Sequence, residues 1–419
     1  MMKSSLTELA IYGGAPAFGE KLHVGRPNIG DRERLVARFN EILDSRWLSN
    51  SGPFEQELER RIADMCGVKH CIAMCNATVA MEIAIRALDL SGEVIVPSFT
   101  FIATAHALQW QQITPVFCDI DPATHNLDPA CIERMITPRT TGIIGVHLWG
   151  RPCEIDALAE IAERRNLRLL YDAAHAFGAS YKGRIVGNFG DAEVFSFHAT
   201  KFLNSFEGGA VVTNNDELAA KIKLMKNFGF SDYDLVSYIG TNGKMTEVCA
   251  AMGLTSLESL EEVVAVNRRN QESYRRGLEG VAGIKLNRYD DVEKTNYQYV
   301  VAEVDESATG ISRDDLLRVL WSENVVARRY FYPGCHRMEP YKSYYPHAGM
   351  MLPQTEEVAR RVLVLPNGTA VGEAEIVRLC AIIRLTVAHG AEVAARLNSG
   401  AVNIPLSGKA SNSLTARPQ

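Results

Sequence analysis

Between about residue 65 and residue 230 the chain alternates short apolar runs with longer stretches of helical period. Glu93-Val-Ile-Val-Pro97, Pro115-Val-Phe-Cys118, Gly142-Ile-Ile-Gly-Val-His147, Leu167–Tyr171 and Val194-Phe-Ser-Phe197 are too short for helices, and each reads as a strand. Helical patterns precede or separate them: one capped by Asn76 and running to Leu90, one near Thr100–Gln111, and one over Glu154–Arg165. This alternation predicts an α/β fold with a mainly parallel sheet covered by helices. Sites in such sheets lie outside the carboxyl ends of the strands.

The flanks divide the chain further. Residues 1–50 read as an irregular N-terminal segment with one amphipathic helix over Asp31–Ser45. A helix over Pro53–Met65 opens a large unit expected at 51–265, which ends in long helices running through Glu247–Gly280. A smaller α/β unit is expected at 266–395, with strands at Tyr297–Val304 and Val362–Leu365 and helices near Ser312–Glu323 and Gly372–His389. The Ser-, Asn-, Ala- and Pro-rich stretch 396–419 predicts a disordered tail.

Composition narrows the classes. The 419 residues are 47% hydrophobic and 22% charged, enough for a large core. A net charge of −6 gives no electrostatic footprint for nucleic acid or an anionic membrane. No run reaches the roughly 18 apolar residues of a spanning helix, and Met1-Met2-Lys3-Ser4-Ser5 does not open a signal peptide. Nine scattered cysteines in mostly apolar contexts predict reduced thiols and a cytoplasmic location. The spacing of Cys66, Cys71 and Cys75 is not that of a zinc site, so no metal is expected.

The chemistry concentrates at strand ends. Asp172 closes one apolar strand, Ser196 lies near the end of another, and Lys201 follows between Phe202-Leu203 and that strand. Singly these are a turn-capping Asp and a solvated Lys. Together they make a seat for pyridoxal phosphate, with Lys201 as the imine-forming amine, Asp172 paired to the pyridinium nitrogen and Ser196 on the phosphate. Asn76-Ala-Thr78 opens a helix whose first amides, with the Thr78 hydroxyl, suit a phosphate; otherwise Asn76 is a simple cap. No GxGxxG or Walker loop stands there, which disfavours dinucleotide and ATP sites. Phe101, after a strand end, offers a stacking face. His198 is either a second polar group over the cofactor or, the favoured reading, a packed core residue. The turn Gly240–Met245 is either a plain loop or one that brings Asn242 and Lys244 to an anion across a dimer interface. Tyr330–His336 is either a substrate wall or packing.

Several segments then point the same way: Trp47-Leu-Ser-Asn-Ser-Gly-Pro53, Glu93–Phe101, Pro115–Asp121, Val146-His-Leu-Trp-Gly150, Tyr171-Asp-Ala-Ala-His175, Val194–His198, Lys201 and Glu207-Gly-Gly209. On these the chain, from about Trp47 to His389, resembles the DegT/DnrJ/EryC1/StrS sugar aminotransferases, which are fold-type I pyridoxal phosphate enzymes. The resemblance implies a large domain with a mainly parallel seven-stranded sheet and a smaller C-terminal α/β domain. It implies Lys201 as the Schiff-base lysine and proton shuttle, Asp172 as the pyridinium partner, and His175 near the ring hydroxyl. Thr78, Val79 and Ser196 would contact the phosphate and Phe101 would stack on the ring. Asn242 would reach the phosphate of a second subunit, making a homodimer with shared active sites. Trp47, Lys244 and His336 would face the substrate. The sequence departs from the family's commoner pattern with Asn76 in place of Ser and Lys244 in place of Arg. Dehydrating relatives carry His at the lysine position, so Lys201 favours transamination. His198-Ala-Thr-Lys201, Asn242–Leu254 and Tyr330–His336 resemble the family's C4 enzymes rather than its 3-ketosugar enzymes. The implied reaction moves an amino group from L-glutamate to the C4 keto carbon of a dTDP-linked 4-keto-6-deoxyhexose. The alternatives are a 3-ketosugar aminotransferase, a sugar dehydratase on the same cofactor, or a non-catalytic regulator that binds it.

Overall fold

The structure is a computed structural model that describes residues 2–369, 371–399 and 404. Its centre is a seven-stranded sheet of β1 (His70–Met74), β2 (Glu93–Pro97), β3 (Thr114–Cys118), β4 (Thr140–Val146), β5 (Arg168–Asp172), β6 (Ala192–Ser196) and β7 (Gly209–Thr213). The spatial order is β1-β7-β6-β5-β4-β2-β3, and β7 alone runs antiparallel to its neighbours. The strands are buried on both faces. Alternate residues point to opposite cores: Val94 and Val96 join one apolar cluster and Ile95 another.

Helices cover both faces. α1 (Arg32–Ser45), capped by Asp31, and α2 (Pro53–Cys66), with proline at its first turn, precede the sheet. α3 (Ala77–Ala87) and α4 (Ile102–Gln109) pack on one face, joined later by α6 (Asp216–Met225). α2, with α5 (Ile155–Arg165) and α7 (Glu247–Glu258), serves the other face. The polar side of α8 (Leu260–Leu278) carries the Arg and Glu residues of the expected long helix, and the boundary expected at 265 falls inside it.

The smaller unit is an antiparallel sheet of β8 (Ile284–Leu286), β9 (Val300–Val304) and β10 (Val362–Leu365), with α9 (Arg313–Ser322), α10 (Pro353–Arg361) and α11 (Glu373–Ala388). Its core takes in Leu9, Ile11 and Phe18, and Leu22–His23 pairs with Val325–Val326. The N-terminal segment is therefore not a unit of its own: its start belongs with the C-terminal core, while α1 lies along α7. The start of the tail expected at 396–419 is helical, as part of Gly390–Asn398; residues 400–403 and 405–419 of that stretch lie outside the described residues. No described helix is long and apolar enough to cross a membrane.

Candidate active site

At the carboxyl ends of β5 and β6 a cavity of about 350 Å³ opens, lined by Lys201, Asp172, His175, Ser196, Thr78 and Phe101 among others. The antiparallel course of β7 matters here. Its first residue, Gly209, is in register with both Met74 and Ser196, so it lies at the same edge as the carboxyl ends of β1 and β6. The N-terminus of α3 sits directly over it. A Cβ on Gly209 would meet the Ala77 amide nitrogen at 2.6 Å, so only glycine lets the helix start this close to the cavity.

Asn76 caps α3, its Oδ1 accepting from the Val79 amide at 2.8 Å. The Val79 amide is already satisfied, and Val79 does not line the cavity. Ala77 and Thr78 do line it, and among the described residues neither of their amides has an acceptor. These amides and the helix dipole form the anion-favouring end of the site.

Asp172 is fixed by its neighbours. The Thr104 hydroxyl donates to Oδ2 at 2.8 Å, and the Ala174 amide donates to Oδ1 at 3.1 Å. Thr104 comes from α4, whose composition is otherwise mostly apolar. A threonine on its buried face was the available sign of its role.

Lys201 lies past β6, its amide donating to His198 O at 2.8 Å. Its Nζ donates to the Tyr299 hydroxyl oxygen at 3.3 Å. Burial lowers the amine to about 8, against an upward pull from Asp172. Tyr299, just before β9, went unremarked in the sequence because it is remote from every strand-end motif. Its ring lies 4.4 Å from that of His175. Burial, and then Lys201, hold His175 well below its ordinary range, so it is neutral. The Trp149 amide donates to its Nδ1 at 3.3 Å.

Phe101 is 59% exposed at the start of α4 and borders the cavity. His198 is half-exposed rather than packed in the core, 3.6 Å from Glu207, and both border the cavity. The aromatic loop splits: Tyr330 and Phe331 form wall, but His336 does not. His336 is 2% exposed and held behind the wall, its Nδ1 2.7 Å from Ser98 Oγ and its Nε2 2.9 Å from Glu356 Oε1. Both of its ring nitrogens have partners within the chain. Trp47, Asn242 and Lys244 also lie outside the chain's own cavity. Asn242 is exposed on a turn held to the end of β1, where the Cys75 amide donates to Gly243 O at 2.9 Å. Lys244 Nζ lies 4.6 Å from the centre of the Phe228 ring.

A buried amine of lowered basicity facing a fixed carboxylate suits imine chemistry on an electron-accepting ring. The comparisons agree with that chemistry. The chain is 40% identical over 347 residues, 82% of its length and 93% of the relative's, to a dTDP-4-amino-4,6-dideoxy-D-glucose transaminase of Shigella dysenteriae. It is 36% identical over 325 residues, 77% of its length and 87% of the relative's, to a GDP-perosamine synthase of Caulobacter vibrioides. It superimposes on the solved structure of DesI in the presence of its TDP-sugar product with a TM-score of 0.90 and 51% identity, covering 94% of this chain and all of that one. The profile of one family matches residues 30–384, and on that match and these relatives the chain belongs to the DegT/DnrJ/EryC1/StrS aminotransferase family.

Proposed function

We propose that this aminotransferase uses pyridoxal phosphate to move an amino group from L-glutamate to the C4 keto carbon of a dTDP-linked 4-keto-6-deoxyhexose. The observation that carries the reading is the cavity joining Lys201 Nζ, the fixed Asp172 carboxylate and the free amides at the start of α3. Those residues fit the cofactor. Thr78, Ser196 and the α3 amides would take its phosphate, Asp172 its ring nitrogen, Phe101 its face and Lys201 its aldehyde carbon. When bound, it supplies an electron sink for the substrate carbon that loses a proton.

The chain's own residues do the rest. Lys201, neutral in a large fraction near pH 8, takes and returns the proton at Nζ. Tyr299 holds that amine between transfers, its hydroxyl oxygen accepting from Nζ. Asp172, fixed by Thr104 and Ala174, keeps a negative charge where a ring nitrogen would carry a proton. Tyr330 and Phe331 exclude water on the smaller-unit side.

The acceptor and its nucleotide rest on likeness to DesI and to the Shigella transaminase. The homodimer, in which the partner subunit's Asn242 reaches the phosphate, is supported by exposed apolar residues beside that turn. The segment 230–239 exposes Phe230, Tyr233, Leu235, Val236 and Ile239, and the Phe228 amide donates to Thr241 O at 3.0 Å. Trp47 and Lys244 belong, on the same reading, to the sugar-binding side of the shared site. The cytoplasm as compartment rests on the cysteine pattern.

The test is to incubate the enzyme with isotope-labelled glutamate and either dTDP- or GDP-linked 4-keto-6-deoxyhexose, then weigh the products. A dTDP-aminosugar carrying the label is expected. Label only in the GDP product would move the reading to the nucleotide of the perosamine synthases. Unlabelled, dehydrated sugar would refute transamination.

A further inference from the structure

Behind the wall that His175 and Phe331 present to the cavity, two buried side chains, Trp149 and His125, and the partly exposed Glu303 come into line from distant parts of the chain. Trp149 lies in the turn Leu148–Gly150 with φ 60°, a left-handed conformation that an L side chain keeps only where neighbours hold it. Its amide donates to His175 Nδ1 at 3.3 Å. Its indole stacks on His175 (6.0 Å, 25°) and on Phe331 (5.4 Å, 19°). The indole Nε1–H donates to His125 Nδ1 at 3.1 Å. His125 is 4% exposed and itself left-handed, with φ 63°. Because Nδ1 accepts, neutral His125 carries its proton on Nε2. That atom is buried and lies 3.5 Å from Glu303 Oε1, long for a hydrogen bond but its nearest acidic partner. Glu303 is anchored on β9 and is also 3.6 Å from Lys285 Nζ. The Tyr289 hydroxyl, within reach of both Trp149 O (2.9 Å) and Tyr299 O (2.8 Å), ties the same turn to the residue just before β9.

The result at His175 is specific. The Trp149 amide occupies Nδ1, so the neutral ring carries its proton on Nε2. No described residue accepts from Nε2, and the ring lines the cavity. Among the described residues, no other hydrogen bond to the His175 ring selects that tautomer. We propose that Glu303, His125 and Trp149 are positioning residues that hold the left-handed turn at Trp149 and thereby fix His175 as an Nε2–H donor at the cavity wall. Only the kinetic arm of the test rests on the proposed function.

The test uses the full-length, cofactor-loaded protein. His125→Phe keeps an aromatic ring and removes the acceptor for the indole; Glu303→Gln keeps the shape and removes the charge. Nitrogen NMR of labelled histidine side chains, with His175 assigned by its loss in His175→Gln, reads the tautomer without turnover. Wild type is expected to show the Nε2–H form, and His125→Phe a mixture. The rate constant of the glutamate half-reaction should fall about ten-fold, with KM for glutamate changed by less than about two-fold. That loss should vanish in the His175→Gln background, whereas a merely structural role for His125 would leave it in place. An unchanged His175 tautomer in His125→Phe, or a rate loss equally large without His175, overturns the proposal. If His125→Phe fails to fold, Glu303→Gln carries the same two readouts from the edge of the assembly. A wild type with no cofactor band would count against the proposed function alone, and the tautomer would still decide the positioning role.

Discussion

Replacing Lys201 with methionine should abolish turnover and yet make the cofactor-free protein more stable. The lysine amine titrates near 8 in the fold because burial penalises its charged form, against 10.5 for a solvated lysine. Holding a charged amine there at neutral pH costs roughly 3 kcal/mol, at about 1.4 kcal/mol per tenfold change in proton affinity. Methionine removes that cost and fills similar volume. It also loses the hydrogen bond to Tyr299, worth about 1 kcal/mol, and leaves Asp172 without its nearby cation. A net gain of roughly 1–2 kcal/mol at pH 7 remains. The pH dependence follows from the sign. Below about 8 both folded and unfolded wild type are protonated at Lys201, and the fold bears the full cost. Between 8 and 10.5 the unfolded chain binds a proton that the fold does not, so wild-type stability rises with pH. Above 10.5 the amine is neutral in both states and the cost is gone. Urea unfolding of cofactor-stripped wild type and Lys201→Met, at one protein concentration and across pH 7 to 11, measures this. The variant's advantage should be largest at pH 7 and should shrink through that window. A variant no more stable at neutral pH, or an advantage that does not change with pH, would refute the burial argument.

Three further outcomes follow from the geometry. Asp172→Asn keeps the hydrogen-bonding shape but removes the charge facing the site; kcat should fall by about a hundred-fold or more, measured under saturating glutamate and ketosugar. Gly209→Ala would bring a Cβ against the Ala77 backbone at 2.6 Å; a loss of about 1–3 kcal/mol in thermal unfolding is expected, with weaker retention of added pyridoxal phosphate on gel filtration. Lys226→Met would strand Glu55, a 1% exposed carboxylate 2.7 Å from the Lys226 amine, and should destabilise by about 3–5 kcal/mol in urea unfolding.

The sequence was most legible where one local signal decided the outcome. Asn76 capped the helix it was expected to cap, and β2 and β10 match the apolar runs that predicted them. β7 was passed over, because Gly209-Ala-Val-Val-Thr213 is short and follows a glycine turn. Its insertion between β1 and β6 is a long-range pairing that no local period encodes. The N-terminal residues read as irregular because they have no period of their own; Leu9, Ile11 and Phe18 find their partners some three hundred residues away. In the site, Lys201, Asp172 and Ser196 stood out as strand-end polar residues in apolar surroundings, whereas His175 was singled out only by the family resemblance. Thr104, Tyr299 and Trp149 did not stand out, since each acts by touching one of those residues across the fold. His336 shows a different limit of local reading. It stands in the right loop, but the loop turns its imidazole toward Ser98 and Glu356.

The most direct test of the central claim is an absorbance cycle on one purified sample. Pyridoxal phosphate is added, excess is removed, glutamate is supplied, and dTDP-4-keto-6-deoxyglucose follows. A visible band from the bound cofactor that glutamate bleaches and the ketosugar restores is the predicted result. Absence of any bound-cofactor band, or its survival unchanged in Lys201→Ala, would contradict the account.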